Sequence, residues 1–380
     1  MSLLNAELIT DASVIAPIEA EWRVLAEQRS NGFITPEWFR SWWENQGHQS
    51  SSPLISVVRR PSGSVAGVMP LVLDESSRPR AIRFAGATIG DRFHPAASEA
   101  DEVSVALATM RALKIAGLDQ RMILLERADT DSHWWRLMQR VSSVRRTIVE
   151  QQQTVVPFID LTGLDWETYL ARRSKNFRKQ VRRAERALVR RHSMKLRSAT
   201  DETLSADIAE LFRLHDLRRN GLGGSSLDAA ARRSLRAFAF AAHRQGWLRL
   251  SVMEADGAPV SALFAWRVGE SYVSYQGGFD PAWAKLSVGV AIEAINVRKA
   301  IEEGAAEYDF LLGTESWKRR FTTDARPTQT AVLLRARHPT RVLVAAEAQA
   351  RRAGGGMRER KHVSNLIRSL HGLIPTARGS

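Results

Sequence analysis

Residues 247–301 read WLRLSVMEADGAPVSALFAWRVGESYVSYQGGFDPAWAKLSVGVAIEAINVRKAI, and the change of period inside that stretch decides the fold. Three runs rich in β-branched and aromatic residues, 247–254, 259–268 and 271–276, predict consecutive antiparallel strands. The turn Ala255-Asp256-Gly257-Ala258 between the first two offers a glycine for positive φ. After Gly277-Gly278 the period lengthens, and 288–301 predicts a helix. Working outward, 194–198 reads as a strand and 204–219 as a helix with Ile208, Leu211, Phe212 and His215 on one face. A glycine- and serine-rich loop at 220–226 separates it from a helix at 228–244. Beyond the central stretch, 307–311 reads as a strand, 315–321 as a short helical turn and 328–335 as a strand.

The same order is found upstream. At an offset of 195 residues Ser56-Val57 faces Ser251-Val252, and Val65-Ala66-Gly67-Val68 faces Val260-Ser261-Ala262-Leu263. The turn Pro61-Ser62-Gly63-Ser64 answers the turn at Gly257. Around it lie predicted strands at 6–10, 54–60, 64–73, 80–85, 121–126 and 144–150, and predicted helices at 13–28, 36–45, 101–116 and 131–141. Two similar α/β units are expected, residues 1–154 and 155–338, with 155–161 joining them and a basic tail at 339–380.

Hydrophobic residues make up 44% and charged residues 25%, the range of folded globular chains. Cysteine is absent, which excludes disulfides, thiolate metal sites and cysteine nucleophiles. The opening residues lack the basic-then-apolar pattern of a secretory leader, and no run approaches the ~18 apolar residues of a membrane span. A cytoplasmic location is the expectation. The net charge of +14 is concentrated: residues 172–197 hold twelve Lys and Arg against Glu185 alone, and residues 335–380 hold ten against Glu347 and Glu359. Any anion-binding role belongs to those two segments.

Three blocks in the second half resemble a known family. They are Tyr169-Leu170 through Ser174-Lys175-Asn176-Phe177-Arg178 to Arg182-Arg183-Ala184-Glu185-Arg186; Gly277-Gly278-Phe279-Asp280-Pro281-Ala282-Trp283-Ala284-Lys285-Leu286-Ser287-Val288-Gly289; and Tyr308-Asp309-Phe310-Leu311-Leu312-Gly313-Thr314-Glu315-Ser316-Trp317-Lys318-Arg319-Arg320-Phe321. A fainter block, Phe33-Ile34-Thr35-Pro36-Glu37-Trp38 with Trp42-Trp43, is similar to the family's opening helix. Together they resemble the GNAT-type acetyltransferases grouped with the CelD/BcsL cellulose-biosynthesis proteins, themselves similar to the FemABX transferases, which move amino acids from tRNA onto peptidoglycan precursors. The resemblance implies tandem GNAT folds, each a mixed, mostly antiparallel sheet flanked by helices, with a degenerate first unit and the chemistry in the second. It implies acyl transfer from acetyl-CoA or another acyl-CoA to an amine on a small molecule or glycan precursor.

Such chemistry needs an anchored carrier, a deprotonated amine, a donor for the developing oxyanion and a proton for the leaving thiolate. In the GNAT fold the carrier's pyrophosphate sits at a helix N-terminus, where free N–H groups favour an anion. The matching place here is Lys285, Ser287, Val288 and Gly289. Its spacing is one residue longer than the usual Arg/Gln-x-x-Gly-x-Gly/Ala loop, and Gly289 equally suits close helix-to-sheet packing. Lys318 is the candidate phosphate or oxyanion clamp, with Arg319 beside it; the alternative is an exposed basic turn. His215 and Asp280, then Glu315, are candidate general bases, set against a satisfied core histidine and an Asx turn. Tyr275 is either a proton donor to the thiolate or a core aromatic. The predicted helix 174–191 has Ser174 as N-cap and a stripe of Phe177, Val181, Ala184 and Leu188. Its other faces carry Arg178, Arg182 and Arg183, which are expected to bind an anionic substrate.

No phosphate-binding Gly-x-x-x-x-Gly-Lys loop, His-Glu-x-x-His or Gly-x-Ser-x-Gly motif occurs, and the histidines show no ligand spacing; no metal is expected. Two rival functions stay open: aminoacyl transfer with tRNA held on the basic helix, and a non-catalytic adaptor for nucleic acid or anionic membrane. The tail has Val363, Leu366, Ile367 and Leu370 on one face and Arg358, Arg360 and Lys361 opposite. It reads as a domain cap or a helix on anionic lipid, which would make the protein peripheral to the inner membrane.

Overall fold

A computed structural model of the chain describes residues 4–77, 80–141, 146–220, 227–335 and 344–345. The tail read as an amphipathic helix and the loop 221–226 lie outside them. The chain divides into two units, Met1–Thr154 with Pro327–Ser380, and Val155–Arg326.

The first unit contains β1 (Asn5–Ile9), α1 (Glu19–Gln28), α2 (Pro36–Asn45), β2 (Ser51–Arg59), β3 (Val65–Asp74), β4 (Ala81–Phe84), a two-residue β5 (Ala96–Ala97), α3 (Glu102–Ile115), β6 (Met122–Asp129) and α4 (His133–Val141). The chain then enters β7 (Arg146–Asp160), which ends in the second unit. There follow α5 (Trp166–Ala171), α6 (Lys175–Arg191), β8 (Lys195–Ser198), α7 (Leu204–Arg219), α8 (Ala229–Arg244), β9 (Ser251–Ala255), β10 (Ala258–Val268), β11 (Ser271–Phe279), α9 (Val288–Glu302), β12 (Glu307–Asp309), α10 (Lys318–Phe321) and β13 (Ala325–Arg335). Among the described residues no helix is long and apolar enough to cross a membrane.

The two units repeat one plan. In the first, β1-β2-β3-β4-β6-β13 is the order, and β4 and β6 are its parallel pair. In the second, the order is β8-β9-β10-β11-β12-β7, and β11 and β12 run parallel. A parallel pair needs a crossover, which α3 and α9 supply. The repeat at offset 195 falls on β2–β3 and β9–β10. Gly63 takes φ 91° in the first hairpin, and Asp256 and Gly257 take 52° and 81° in the second, the left-handed pair that a two-residue hairpin requires. The fold is the mixed, mostly antiparallel α/β arrangement expected.

Two segments sit differently from their sequence reading. Residues 155–161, expected to join the units, continue β7 through Asp160, and Phe158–Asp160 pair with β12. Residues 328–335, expected to close the second unit, pair with β6 of the first. The first unit thus takes its last strand from the chain that follows the second, and the second takes its own from the stretch between the two. Pattern identifies a strand, but its neighbour is chosen by non-local pairing.

The second unit's core holds Phe177 and Val181 of α6 with Tyr272, Tyr308, Phe310 and Phe321. A further cluster joins Ala184 with Met253, Leu263 and Ile292. The stripe predicted on α6 is therefore buried at Phe177, Val181 and Ala184.

Candidate active site

The ladder between β11 and β12 runs Ser271↔Glu307, Tyr272↔Tyr308 and Val273↔Asp309, and then stops. Local chemistry ends β12: the Asp309 carboxylate accepts the N–H of Leu311 at 2.7 Å, and Leu311 turns to φ 58°. β11 runs on to Phe279 with β10 on its other side. There the pairing jumps from Ala265↔Ser274 to Phe264↔Gln276, leaving Tyr275 as the extra residue of a bulge. Bulges bend a strand and re-aim its side chains. The parallel pair consequently opens from Ser274 onward.

α9 starts beside this opening, after a 3₁₀ turn over Pro281–Leu286. Ser287 precedes it at φ 56°, and its first N–H groups have no intrahelical acceptor. A Cβ on Gly289 would lie 3.0 Å from the Phe279 ring, so this glycine lets α9 approach the strand. Asp280 caps the 3₁₀ turn, accepting from Ala282 N–H at 2.9 Å; its carboxylate makes the Asx turn. Lys285 is exposed and Val288 buried.

Cations gather on the same side. Gln180 of α6 donates to Ser287 Oγ at 3.1 Å and accepts from Arg320 at 3.1 Å. One amide thereby ties the basic helix, the start of α9 and the Lys318-Arg319-Arg320 turn together. Arg319, Arg182 and Arg183 are exposed, with Arg182 3.7 Å from Glu167. Arg178 is half-buried and donates to the carbonyls of Ala171 and Arg173 at 3.1 and 2.6 Å, which closes the end of α5.

Lys318 is no exposed basic turn: it is only 4% accessible. Its ammonium reaches Leu312 O at 2.7 Å, Leu311 O at 3.3 Å and Glu315 at 3.0 Å, three acceptors for its three donors. It holds the turn that ends β12, and Glu315 folds over Gly313 to meet it.

Sequence reasoning missed the group beneath. Glu293 of α9 is 4% accessible and accepts from Tyr308 Oη at 2.9 Å, with the Ser274 side chain close to both. Burial raises its pKa, opposed by those hydroxyls and by the charges of Lys318 and Arg218. The available signal was a lone carboxylate inside the apolar run Val288–Ile295.

On the opposite face, α7 meets β11 at Gly278. His215 is buried, and neither ring nitrogen finds a hydrogen-bond partner among the described residues; nor does Gln276 Nε2. Burial first, then the charge of Arg219, lowers the imidazole pKa to about 4. Arg218, also missed, donates to Gly277 O at 3.2 Å and lies over the Phe279 ring. Burial lowers its pKa as well. Tyr275 packs against Trp266 and Phe264 at 5.2 and 6.0 Å, as a core aromatic does.

In the first unit the chain that follows β4 packs back against β4 and β6. Phe93 is fully buried and stacks on Phe84 at 5.5 Å. Arg127 holds Ala87 O at 2.7 Å and Asp91 at 2.8 Å, and Arg92 binds Asp129 at 3.0 Å.

Residues 175–319 match the family model of an acetyltransferase (GNAT) domain. That stretch is similar to a GNAT domain. It spans the opened strand pair, α9 and the first two residues of the Lys318-Arg319-Arg320 turn. Among solved structures the chain is similar to FemX, at 12% identity and a TM-score of 0.60, over 90% of this chain and 100% of that one. It is also similar to the C-terminal DUF2156 domain of a candidate lysylphosphatidylglycerol synthetase from Agrobacterium fabrum, at 13% identity and a TM-score of 0.54, over 90% and 99%. A conserved protein of unknown function from Bacteroides thetaiotaomicron follows, at 10% identity and 0.55, over 86% and 99%. At such identities these likenesses speak for the fold. No curated protein matches the chain.

Proposed function

We propose that the chain is an N-acyltransferase that moves an acyl group from acetyl-CoA or a longer acyl-CoA to an amine, with the second unit active and the first a degenerate copy. The observation that carries this reading is the opening of β11 from β12 at Ser274, beside the start of α9. A thioester laid in that opening would place its pyrophosphate on the N–H groups of Val288 and Gly289, with Ser287, Lys285, Arg319 and Arg320 around it. Lys318 would act through the turn it holds, adding positive potential where the oxyanion forms. The acceptor would approach the bulge from the α7 side, past His215 and Arg218. A polysaccharide or envelope-precursor amine, as in the CelD/BcsL proteins, is the acceptor class this reading favours, with work in the cytoplasm or on the inner face of the membrane.

Aminoacyl transfer from tRNA is the second reading, favoured by a FemX-like fold over nearly the whole chain and by the exposed cations of α6. Thermal denaturation with a series of acyl-CoAs separates the two. A ligand at 100 times its Kd adds ~2.7 kcal/mol, so a shift with one chain length is expected, reduced in Gln180→Ala and Arg320→Ala. No shift with any thioester, together with copurifying tRNA, would transfer the assignment to the second reading.

A further inference from the structure

Acyl transfer to an amine requires a group that removes a proton from the acceptor, and none of the residues singled out from sequence is built for it. Asp280 is engaged in a cap, Glu315 in an ion pair, and His215 is a weak base. We propose that Glu293 takes the proton, relayed by the Ser274 hydroxyl.

Ser274 is the first residue of β11 beyond its last pairing with β12, so its hydroxyl lies where the opening begins. It lies close to the Glu293 carboxylate, which accepts from Tyr308 Oη at 2.9 Å. Tyr308 donates to this carboxylate and the Ser274 hydroxyl lies beside it, which makes the carboxylate the sink of a short proton chain. Burial raises its pKa and makes it a stronger base than an ordinary carboxylate, the direction general-base work requires. The groups that act on it are Tyr308 of β12, Ser274 and Tyr272 of β11, Lys318 of α10, Arg218 of α7 and Tyr169 of α5. The two cations keep the carboxylate ionisable; the tyrosines around it are pushed far above their ordinary range and stay neutral.

The step balances. The acceptor ammonium gives one proton to Ser274 Oγ while that hydroxyl passes its own to Glu293. The neutral nitrogen then bonds to the thioester carbon, the C–S bond breaks, and the second N–H proton goes to the departing thiolate. Glu293 afterwards returns its proton to water. Glu293 acts through Ser274, so it is a positioning residue for proton transfer.

The inference rests on the acyltransferase reading, and the test keeps the two apart. Full-length wild type, Glu293→Gln and Ser274→Ala are compared for acetyl-CoA binding and for release of free thiol across pH. Glucosamine serves as an amine that needs deprotonation and hydroxylamine as one already neutral near pH 7. Unchanged acetyl-CoA binding is expected in both variants, with turnover on glucosamine down roughly a hundredfold near neutrality, recovering as pH rises, and little change on hydroxylamine. Ser274→Ala leaves the buried carboxylate in place, so its agreement with Glu293→Gln excludes simple misfolding. Normal binding with wild-type pH profiles in either variant would overturn the relay alone. Wild type that neither binds acetyl-CoA nor releases thiol with either amine would remove the acyltransferase reading, and the relay with it.

Discussion

At Gly278 the backbone of α7 comes so close to β11 that a Cβ would lie 2.3 Å from His215 N and 2.4 Å from Leu214 C. Both are backbone atoms and cannot swing aside, so Gly278→Ala should cost at least the ~1–3 kcal/mol typical of overpacking. Gly257→Ala meets open space and only positive φ, for which ~1–2 kcal/mol is expected. Urea midpoints rank the two. His215 gives a pH prediction. Its folded pKa of about 4 lies below the ~6.5 of an unfolded histidine, so the unfolded chain binds the proton first. Its contribution to stability is complete above ~6.5 and is lost as pH falls toward 4. His215→Gln should therefore lose less stability than wild type between pH 7 and 5, read by urea unfolding at each pH. An identical loss would contradict the burial of a neutral imidazole. At this scale the sequence was only partly legible. His215 showed itself by its place on an apolar face. Glu293 did not, because a carboxylate amid alanine and isoleucine carries no spacing signal until Tyr308 and Ser274 are brought to it from two strands.

α6 is the most legible element, since each of its signals is local. The Ser174 hydroxyl accepts from Phe177 N–H at 3.2 Å, the cap that its position announced, and Ser174→Ala should cost ~1 kcal/mol. Phe177, Val181 and Ala184 of its stripe are buried, and Arg182, Arg183 and Arg186 are exposed. Reversing Arg182 and Arg183 to glutamate should leave the unfolding midpoint nearly unchanged, within ~0.5 kcal/mol, while weakening binding of a phosphate-bearing carrier and flattening its salt dependence. A loss of folding would show that these arginines support α6 itself. β12 and β13 were less legible. β12 ends two residues early because Asp309 captures Leu311 N–H, and nothing in an apolar run marks where a side-chain turn replaces a ladder. β13 reads as a strand in any register, but its pairing with β6 depends on residues some 200 positions away.

For the molecule as a whole, element order was the informative quantity. The order strand, two helices, three strands, helix, strand, helix, strand occurs twice and is realised twice, with a parallel pair at the same place in each unit. Order does not reveal which copy keeps an open site. We place it in the second unit, where the strand pairing ends before Ser274, and not in the first, where Phe93 stacks on Phe84 and Arg92 and Arg127 pair with Asp129 and Asp91. The central claim is that this second opening holds the acyl donor. Hydrogen–deuterium exchange of the full chain with and without acetyl-CoA tests it most directly. The expected result is slowed exchange confined to residues 274–279 and to 287–291 at the start of α9, with residues 84–94 of the first unit unchanged. Protection confined to the first unit, or no protection at a concentration that shifts the melting temperature, would contradict it.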